Sequence, residues 1–194
     1  MQQASLKAAI EHAGGLFLGL DRDGTLIDDK GYGIQPEDVV LMPGIQELYA
    51  CLQTLHYPVK TAIFTNQSAI GRGLTDWDTV NAVNARVIEQ INELVNADWL
   101  STTRVFVCPH TPDDACTCRK PQRGLYDLAT TQMNTAIWPF LMIGDSESDA
   151  LFAANVGGTS IVIDRLMTPT LHAKSVIRLS VLTQASATIK QYAR

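Results

Sequence analysis

Five short apolar runs alternate along the chain with segments of helical hydrophobic spacing, and that alternation limits the possible architecture more than any other feature. The runs are residues 16–20 (LFLGL), 59–66 (VKTAIFTN), 104–108 (RVFVC), 140–145 (FLMIGD) and 159–164 (TSIVID). Each is short and nearly continuous, as expected of a strand covered on both faces. Between them, Ile45, Leu48, Leu52 and Leu55 recur at intervals of three or four, as do Val80, Val83, Val87, Ile91 and Val95, and then Leu125, Leu128, Ala129 and Met133. Strand–helix–strand alternation calls for parallel pairing through right-handed crossovers. The expected class is therefore α/β, with helices on both faces of a mainly parallel sheet. Pro43 and Gly44 break the chain before the first main helix, and Thr75 is the expected N-cap of the second, with Asp76 and Asp78 in its first turn. Val181, Ala185, Ile189 and Tyr192 predict a terminal helix.

A chain of 194 residues, 46% hydrophobic, suits one domain with a real core. One domain over residues 1–194 is expected. The net charge of -5 argues against a nucleic-acid partner. No apolar run approaches the roughly 20 residues that span a bilayer, so no membrane segment is expected. Lys7 followed by Ala8, Ala9 and Ile10 mimics the start of a signal peptide, but Glu11 and His12 interrupt the run, so a cytoplasmic protein is expected.

In an open α/β sheet, ligands bind beyond the carboxyl ends of the strands. Four of the five runs end in residues capable of chemistry: Asp21 to Thr25, Thr65 to Ser68, Cys108 to His110, and Gly144-Asp145 with Asp149 four residues on. Asp21 and Asp23 are spaced to project to one side of the sheet. With Asp145 beside them they repel unless a cation sits between, and an all-oxygen donor set favours Mg²⁺. The alternative is that these aspartates cap loops and face solvent. Cys108, His110, Cys116 and Cys118 fall within eleven residues, as C-x-H and C-x-C pairs separated by five residues. Such clustering in a reducing compartment reads as a closed tetrahedral S₃N zinc site at 108–118, structural because no position is left open for water. The alternative is a set of reduced thiols in a surface loop. Cys51 lies on an apolar helical face and is expected to be inert core.

These residues also carry a specific resemblance. DRDGTLI, FTNQS, Lys120 in CRKP, and IGDSESD resemble the four ordered motifs of the haloacid dehalogenase-like (HAD) phosphatases. TNQSAIGRG, CPHTPDDACTCRKP and Gly31-Tyr32 are similar to the subgroup that contains D-glycero-D-manno-heptose 1,7-bisphosphate 7-phosphatase and histidinol-phosphatase. The resemblance implies a HAD-like Rossmannoid three-layer sandwich. Only about forty residues separate Asp23 from Thr65, so no separate cap domain is expected.

The resemblance further implies that Asp21 is the nucleophile, forming an aspartyl-phosphate, and that Asp23 protonates the leaving oxygen and then activates water. It implies Mg²⁺ held by the Asp21 carboxylate, the Asp23 carbonyl and Asp145, with Asp149 orienting Lys120 or a metal-bound water. Thr65 and the amides around Asn66 bind the phosphoryl oxygens, and Lys120 offsets negative charge. Asp29, Lys30, Gly31, Tyr32, Asn66, Gln67, Ser68 and Arg119 are the implied substrate contacts. Zn²⁺ holds the loop that delivers Arg119 and Lys120. The implied substrate is a small phosphorylated sugar, foremost the heptose 1,7-bisphosphate of surface-glycan biosynthesis, hydrolysed by a monomer. Ala69, Ser146 and Gly33 depart from the residues usual in the subgroup. Histidinol phosphate or another small phosphomonoester remains an alternative substrate, and an inactive phospho-sugar-binding module an alternative of a different class.

Overall fold

In the computed structural model, residues 3–163 and 176–193 are described. The elements in chain order are α1 (Gln3–Ala13), β1 (Leu16–Leu20), α2 (Ile45–Gln53), β2 (Val59–Asn66), α3 (Ser68–Gly71), α4 (Trp77–Val95), β3 (Val105–Cys108), α5 (Gly124–Met133), β4 (Phe140–Gly144), α6 (Glu147–Asn155), β5 (Thr159–Ile163), β6 (Val176–Leu179) and α7 (Thr183–Ala193). The strands form one six-stranded sheet in the order β3-β2-β1-β4-β5-β6, every neighbouring pair parallel. The expected α/β class holds, with one strand more than the apolar runs predict.

The two faces of the sheet are packed with different chemistry. Leu16, Leu18 and Leu20 of β1 face an aliphatic layer that holds Ile10 of α1, Leu48 of α2, Val83 and Val87 of α4, and Ala185 and Ile189 of α7. Phe17 points the other way, into a layer with Phe64, Phe106, Tyr126 of α5, Phe140 and Phe152 of α6. Ring centroids there lie 5.0 Å apart for Tyr126–Phe140 and 5.2 Å for Phe64–Phe152. Such aromatic pairs add about 0.5–1.5 kcal/mol each beyond the area they bury. Alternation along β1 thus separates two cores, which is why a run buried on both faces shows no polar residue.

Several local expectations are corrected. Asp76, not Thr75, caps α4: its carboxylate accepts from the Thr79 amide at 2.8 Å. Either residue suits the sequence, but only Asp76 has the extended backbone that aims a side chain into the first turn. Leu128 lies on the solvent side of α5, half exposed, and Leu55 lies beyond the end of α2. Val181 is exposed and precedes α7, whose inward face is Ala185 and Ile189 with Leu182 just before it. The side chain of Tyr192 and the residue Asp164 lie outside the described residues.

α1, β6 and α6 have no counterpart among the sequence-based expectations. The signal for α1 was present: Leu6 and Ile10 are both buried, and Gly14, at φ +71°, ends the helix by donating to the Ile10 carbonyl at 2.8 Å. α7 packs against α1 and α2. No described helix is long and apolar enough to cross a membrane.

Candidate active site

The chain runs outward from β1 to β3 and then returns to place β4 on the other side of β1. That reversal opens a crevice at the carboxyl ends of β1 and β4, where open α/β sheets bind ligands. Asp21 directly follows β1, and its amide donates to the Ile143 carbonyl of β4 at 2.8 Å. Asp145 directly follows β4.

Carboxylate oxygens of Asp21, Asp145 and Asp149 lie within 4.8 Å of one another. Two glycines make the crowding possible. A side chain at Gly24, which sits at φ +76°, meets the Asp145 carboxylate, and one at Gly144 meets that of Asp149. Lys120 is fully enclosed beside this cluster. Its ammonium donates to Asp21 Oδ1 at 2.5 Å, to Asp149 Oδ1 at 2.6 Å and to the Phe64 carbonyl at 2.8 Å. Asp149 is fixed from its other oxygen as well, which accepts from the Ser146 hydroxyl at 2.5 Å and the Ser146 amide at 3.1 Å. Ser146 and Asp149 are the capping box of α6, so the helix start and the site are one construction.

The electrostatics follow from three carboxylates sharing one ammonium. Burial pushes the Asp21 carboxyl well up; Lys120 opposes this, while Asp149 and Asp23 reinforce it. Loss of solvent and then the Asp149 charge raise Asp145 to about 6. Burial works against the charge on Lys120, but Asp149 and Asp21 outweigh it and hold the ammonium above its ordinary range. An oxygen-rich cluster short of positive charge fits a hard divalent cation such as Mg²⁺.

The Asp23 carboxylate is outside that cluster. It accepts from Gln67 Nε2 at 2.7 Å, Thr65 Oγ1 at 3.2 Å, Arg22 Nη2 at 3.0 Å and Arg22 Nε at 3.2 Å. The Thr65 hydroxyl in turn accepts from Gln67 at 2.6 Å. Asp23 lines a cleft of about 310 Å³ together with Asp29, Gly31, Tyr32, Asn66, Gln67, Ser68 and Arg119. Of the substrate contacts expected from sequence, Lys30 is the one that does not reach it: it pairs with Asp28 at 2.7 Å, both half exposed. Asp29 is spent partly on its own loop, accepting from the Gly31 amide at 2.8 Å. The Tyr32 hydroxyl bonds Ser68, and that bond, with the nearby Arg72 charge, lowers its pKa below the usual phenol range. Arg72 lies against the Tyr32 ring, 5.9 Å from its centroid.

Asn66 works differently from expectation. Its side chain brackets the main chain of Lys120, accepting from the Lys120 amide at 3.0 Å and donating to its carbonyl at 3.1 Å. The end of β2 therefore locates the lysine directly. Arg22 and Asn84 were not anticipated. Arg22 is 1% exposed and donates to Asn84 Oδ1 of α4 at 2.7 Å. The available signal was a polar Asn four residues after Val80, on the face of α4 that buries Val80, Val83 and Val87.

Cys108 ends β3, paired with Asn66 in the sheet register. The Gln67 amide donates to the Cys108 carbonyl at 2.7 Å, which stitches the following loop to β2. The Cys118 sulfur lies 3.2 Å from that of Cys108, 3.5 Å from that of Cys116 and 3.1 Å from His110 Nδ1. Cys108 lies 3.6 Å from Cys116 and 3.7 Å from His110. No disulfide joins them. Zinc bonds of ~2.3 Å to sulfur imply tetrahedral edges of roughly 3.5–3.8 Å, so the S₃N set fits Zn²⁺ after small adjustments. Arg119 follows the last ligand, its guanidinium donating to the His110 carbonyl at 3.1 Å.

Comparison with known proteins agrees with this construction. The family model described as HAD-hydrolase-like matches residues 117–170. The D-glycero-beta-D-manno-heptose-1,7-bisphosphate 7-phosphatase of Bordetella bronchiseptica is 34% identical over 142 aligned residues, covering 71% of this chain and 74% of that protein. The enzyme of the same name from Helicobacter pylori J99 is 35% identical over 143 residues, covering 71% and 76%. A crystal structure of the B. bronchiseptica D,D-heptose 1,7-bisphosphate phosphatase with magnesium and phosphate superposes with a TM-score of 0.73 at 25% identity, over 91% of this chain and 99% of that one. Carboxylates gathered at the switch point around a buried lysine, on this sheet and with these relatives, place the chain in the HAD-superfamily phosphatase family that includes the heptose-bisphosphate 7-phosphatases, and make it a phosphoric monoester hydrolase.

Proposed function

We propose that this chain, acting as one catalytic unit over its whole length, removes the 7-phosphate of D-glycero-D-manno-heptose 1,7-bisphosphate through an aspartyl-phosphate on Asp21. The observation that carries the reading is the Asp21–Lys120–Asp149 cluster opening beside a polar cleft, in a chain about a third identical to enzymes of that name.

An oxygen of Asp21 attacks phosphorus and the bond to the sugar oxygen breaks, while Asp23 delivers a proton to that oxygen. Asp23 then takes a proton from water as the water attacks phosphorus, which frees Asp21 and inorganic phosphate. Positioning and charge neutralisation carry most of the acceleration, since a carboxylate is a weak nucleophile. Lys120 offsets charge between Asp21 and the phosphoryl group. The Thr65 hydroxyl and the Gln67 side-chain amide exchange their contacts with Asp23 for phosphoryl oxygens. The Asp21 and Asp145 carboxylates and the Asp23 carbonyl would hold Mg²⁺, which would supply positive charge to the transferring group. Asp149 stays one step back, on Lys120 and Ser146. Asp29, Gly31, Tyr32, Ser68 and Arg119 hold the rest of the substrate, and Zn²⁺ on Cys108, His110, Cys116 and Cys118 fixes the loop that carries Arg119.

Phosphate release with Mg²⁺, compared between the heptose bisphosphate and histidinol phosphate, tests the reading. A preference of about a hundredfold in kcat/KM for the bisphosphate, roughly 2.7 kcal/mol of transition-state discrimination, is expected. The reverse preference assigns the chain to histidinol phosphate instead.

A further inference from the structure

Arg22, the residue between the two motif aspartates, is too deeply buried to touch a substrate. We infer that Arg22, held in place by Asn84, is a positioning residue that keeps the Asp23 carboxylate aimed at the leaving-group side of the cleft. The inference rests on the acid–base role of Asp23 proposed above.

A guanidinium has five N–H donors and no acceptor, and burying it is costly unless those donors are matched. Here Nε and Nη2 fork onto Asp23, and Nη1 reaches back to Asn84 Oδ1 at 2.7 Å, 62 residues away in sequence. Asn84 occupies a 5% exposed site on the face of α4 that buries Val80, Val83 and Val87, where the pattern calls for an aliphatic residue. Its side-chain oxygen is what the arginine needs. Helix α4 is in turn fixed to the sheet through Val83, Val87 and Ile91. The chain of contacts therefore runs from a rigid helix, through Asn84 and Arg22, to one carboxylate. A planar fork also fixes the carboxylate plane, which a lysine's point charge does not. Thr65 and Gln67 hold the same carboxylate from the β2 side, and both are contacts that a bound phosphoryl group displaces or shares. Arg22 is the anchor that no substrate atom can reach, so it persists through turnover.

A purely structural tether and a positioning role differ in one measurable respect. Misaiming a general acid slows esters whose leaving oxygen must be protonated, and spares those whose leaving group departs as a stable anion. Initial rates are measured on glycerol phosphate and on 4-nitrophenyl phosphate for wild type, Asn84→Leu, Asn84→Ser and Asn84→Asp. For Asn84→Leu and Asn84→Ser, kcat on the alkyl ester should fall on the order of tenfold to a hundredfold, against about threefold or less on the nitrophenyl ester, with KM little changed. Asn84→Asp, which keeps the acceptor, should recover most of the loss. Equal losses on both esters, or no loss, overturn the inference. Asn84→Ser keeps the test alive should the leucine variant not fold. A crystal structure of either variant asks the same question without turnover, since an Asp23 carboxylate unmoved from its Arg22 contacts also overturns it. Asp23→Asn separates the two levels. If it shows no leaving-group dependence, the acid–base reading of Asp23 fails; if it does and the Asn84 variants do not, only the Arg22–Asn84 inference fails.

Discussion

Two clusters of side chains with the chemistry to hold a metal ion meet at the segment 116–120, and they are assembled in opposite ways. The sulfur cluster is local: Cys108, His110, Cys116 and Cys118 span eleven residues, and one loop closes them. The carboxylate cluster is global: Asp21, Asp145 and Asp149 come from the ends of two strands more than a hundred residues apart. Only the parallel order of β1 and β4 brings them together. The first is soft and partly open to solvent; the second is hard, with Asp21 and Asp149 buried and Asp145 at its open edge. Lys120 joins them, two residues after the last thiol and 2.5 Å from Asp21. A short loop pays little closure entropy, so a metal suffices to organise it. A buried excess of negative charge needs the whole sheet behind it.

The difference can be pressed from either side. The largest effect belongs to Asp21→Asn, which should lower kcat on the order of 10⁵-fold while leaving the melting temperature, measured with chelator and without Mg²⁺, unchanged or higher. The sign follows from the raised pKa of Asp21: the fold favours its protonated form, so its charge opposes stability at neutral pH. A clearly lower melting temperature breaks the claim that the carboxylate cluster is strained by its own charge.

Lys120→Met comes next. It leaves Asp21 and Asp149 buried without their cation, so denaturant unfolding should show about 3–5 kcal/mol of lost stability, with kcat down several hundredfold. With zinc on the thiol–imidazole cluster as proposed, its removal by chelator or Cys118→Ser should cost kcat about 10–100-fold, with excess Mg²⁺ failing to restore it. Full activity in metal-analysed, zinc-free protein removes the loop-delivery role. The smallest effect is Asn66→Ala, which frees the Lys120 main chain from β2 but leaves zinc in place. A loss in kcat of about tenfold or less is expected, corresponding to two side-chain-to-backbone hydrogen bonds of roughly 1 kcal/mol each partly replaced by water. A loss as large as that from zinc removal shows that β2, and not the thiol cluster, is what locates the lysine.

Much of this was legible in the chain itself. The strands β1 and β2 carry the bounds that the apolar runs predict; β1 is apolar and buried throughout, while β2 keeps a buried centre between partly exposed ends that hold Lys60 and Asn66. The four zinc-fitting ligands were legible because their meeting is a matter of short spacing. β6 was not, since Val176–Leu179 contains Arg178 and sits at the sheet edge, half exposed throughout, where burial no longer enforces an apolar run. α1 was missed because, among its described side chains, the large buried ones are only Leu6 and Ile10, too few to show a helical period, and part of their cover is α7, far away in sequence. Lys30 fails to reach the cleft because a nearer carboxylate, Asp28, claims it.

The sequence by itself determined the layered α/β architecture, the ordered phosphatase motifs and the local thiol–imidazole cluster, all of which rest on periodicity or on neighbours within a dozen residues. The tertiary structure alone decided where each aspartate sits and which partners hold it. It set Asp21, Asp145 and Asp149 around Lys120, turned Asp23 outward onto Arg22, Thr65 and Gln67, and bracketed the Lys120 main chain with the Asn66 side chain at the edge of the cleft. Those choices depend on strand order, on two glycines that let carboxylates press against backbone, and on an ion pair between residues 99 apart in the chain. Side-chain direction in a buried polar network is a property of every group that competes for the same few donors, and that competition exists only in the folded chain.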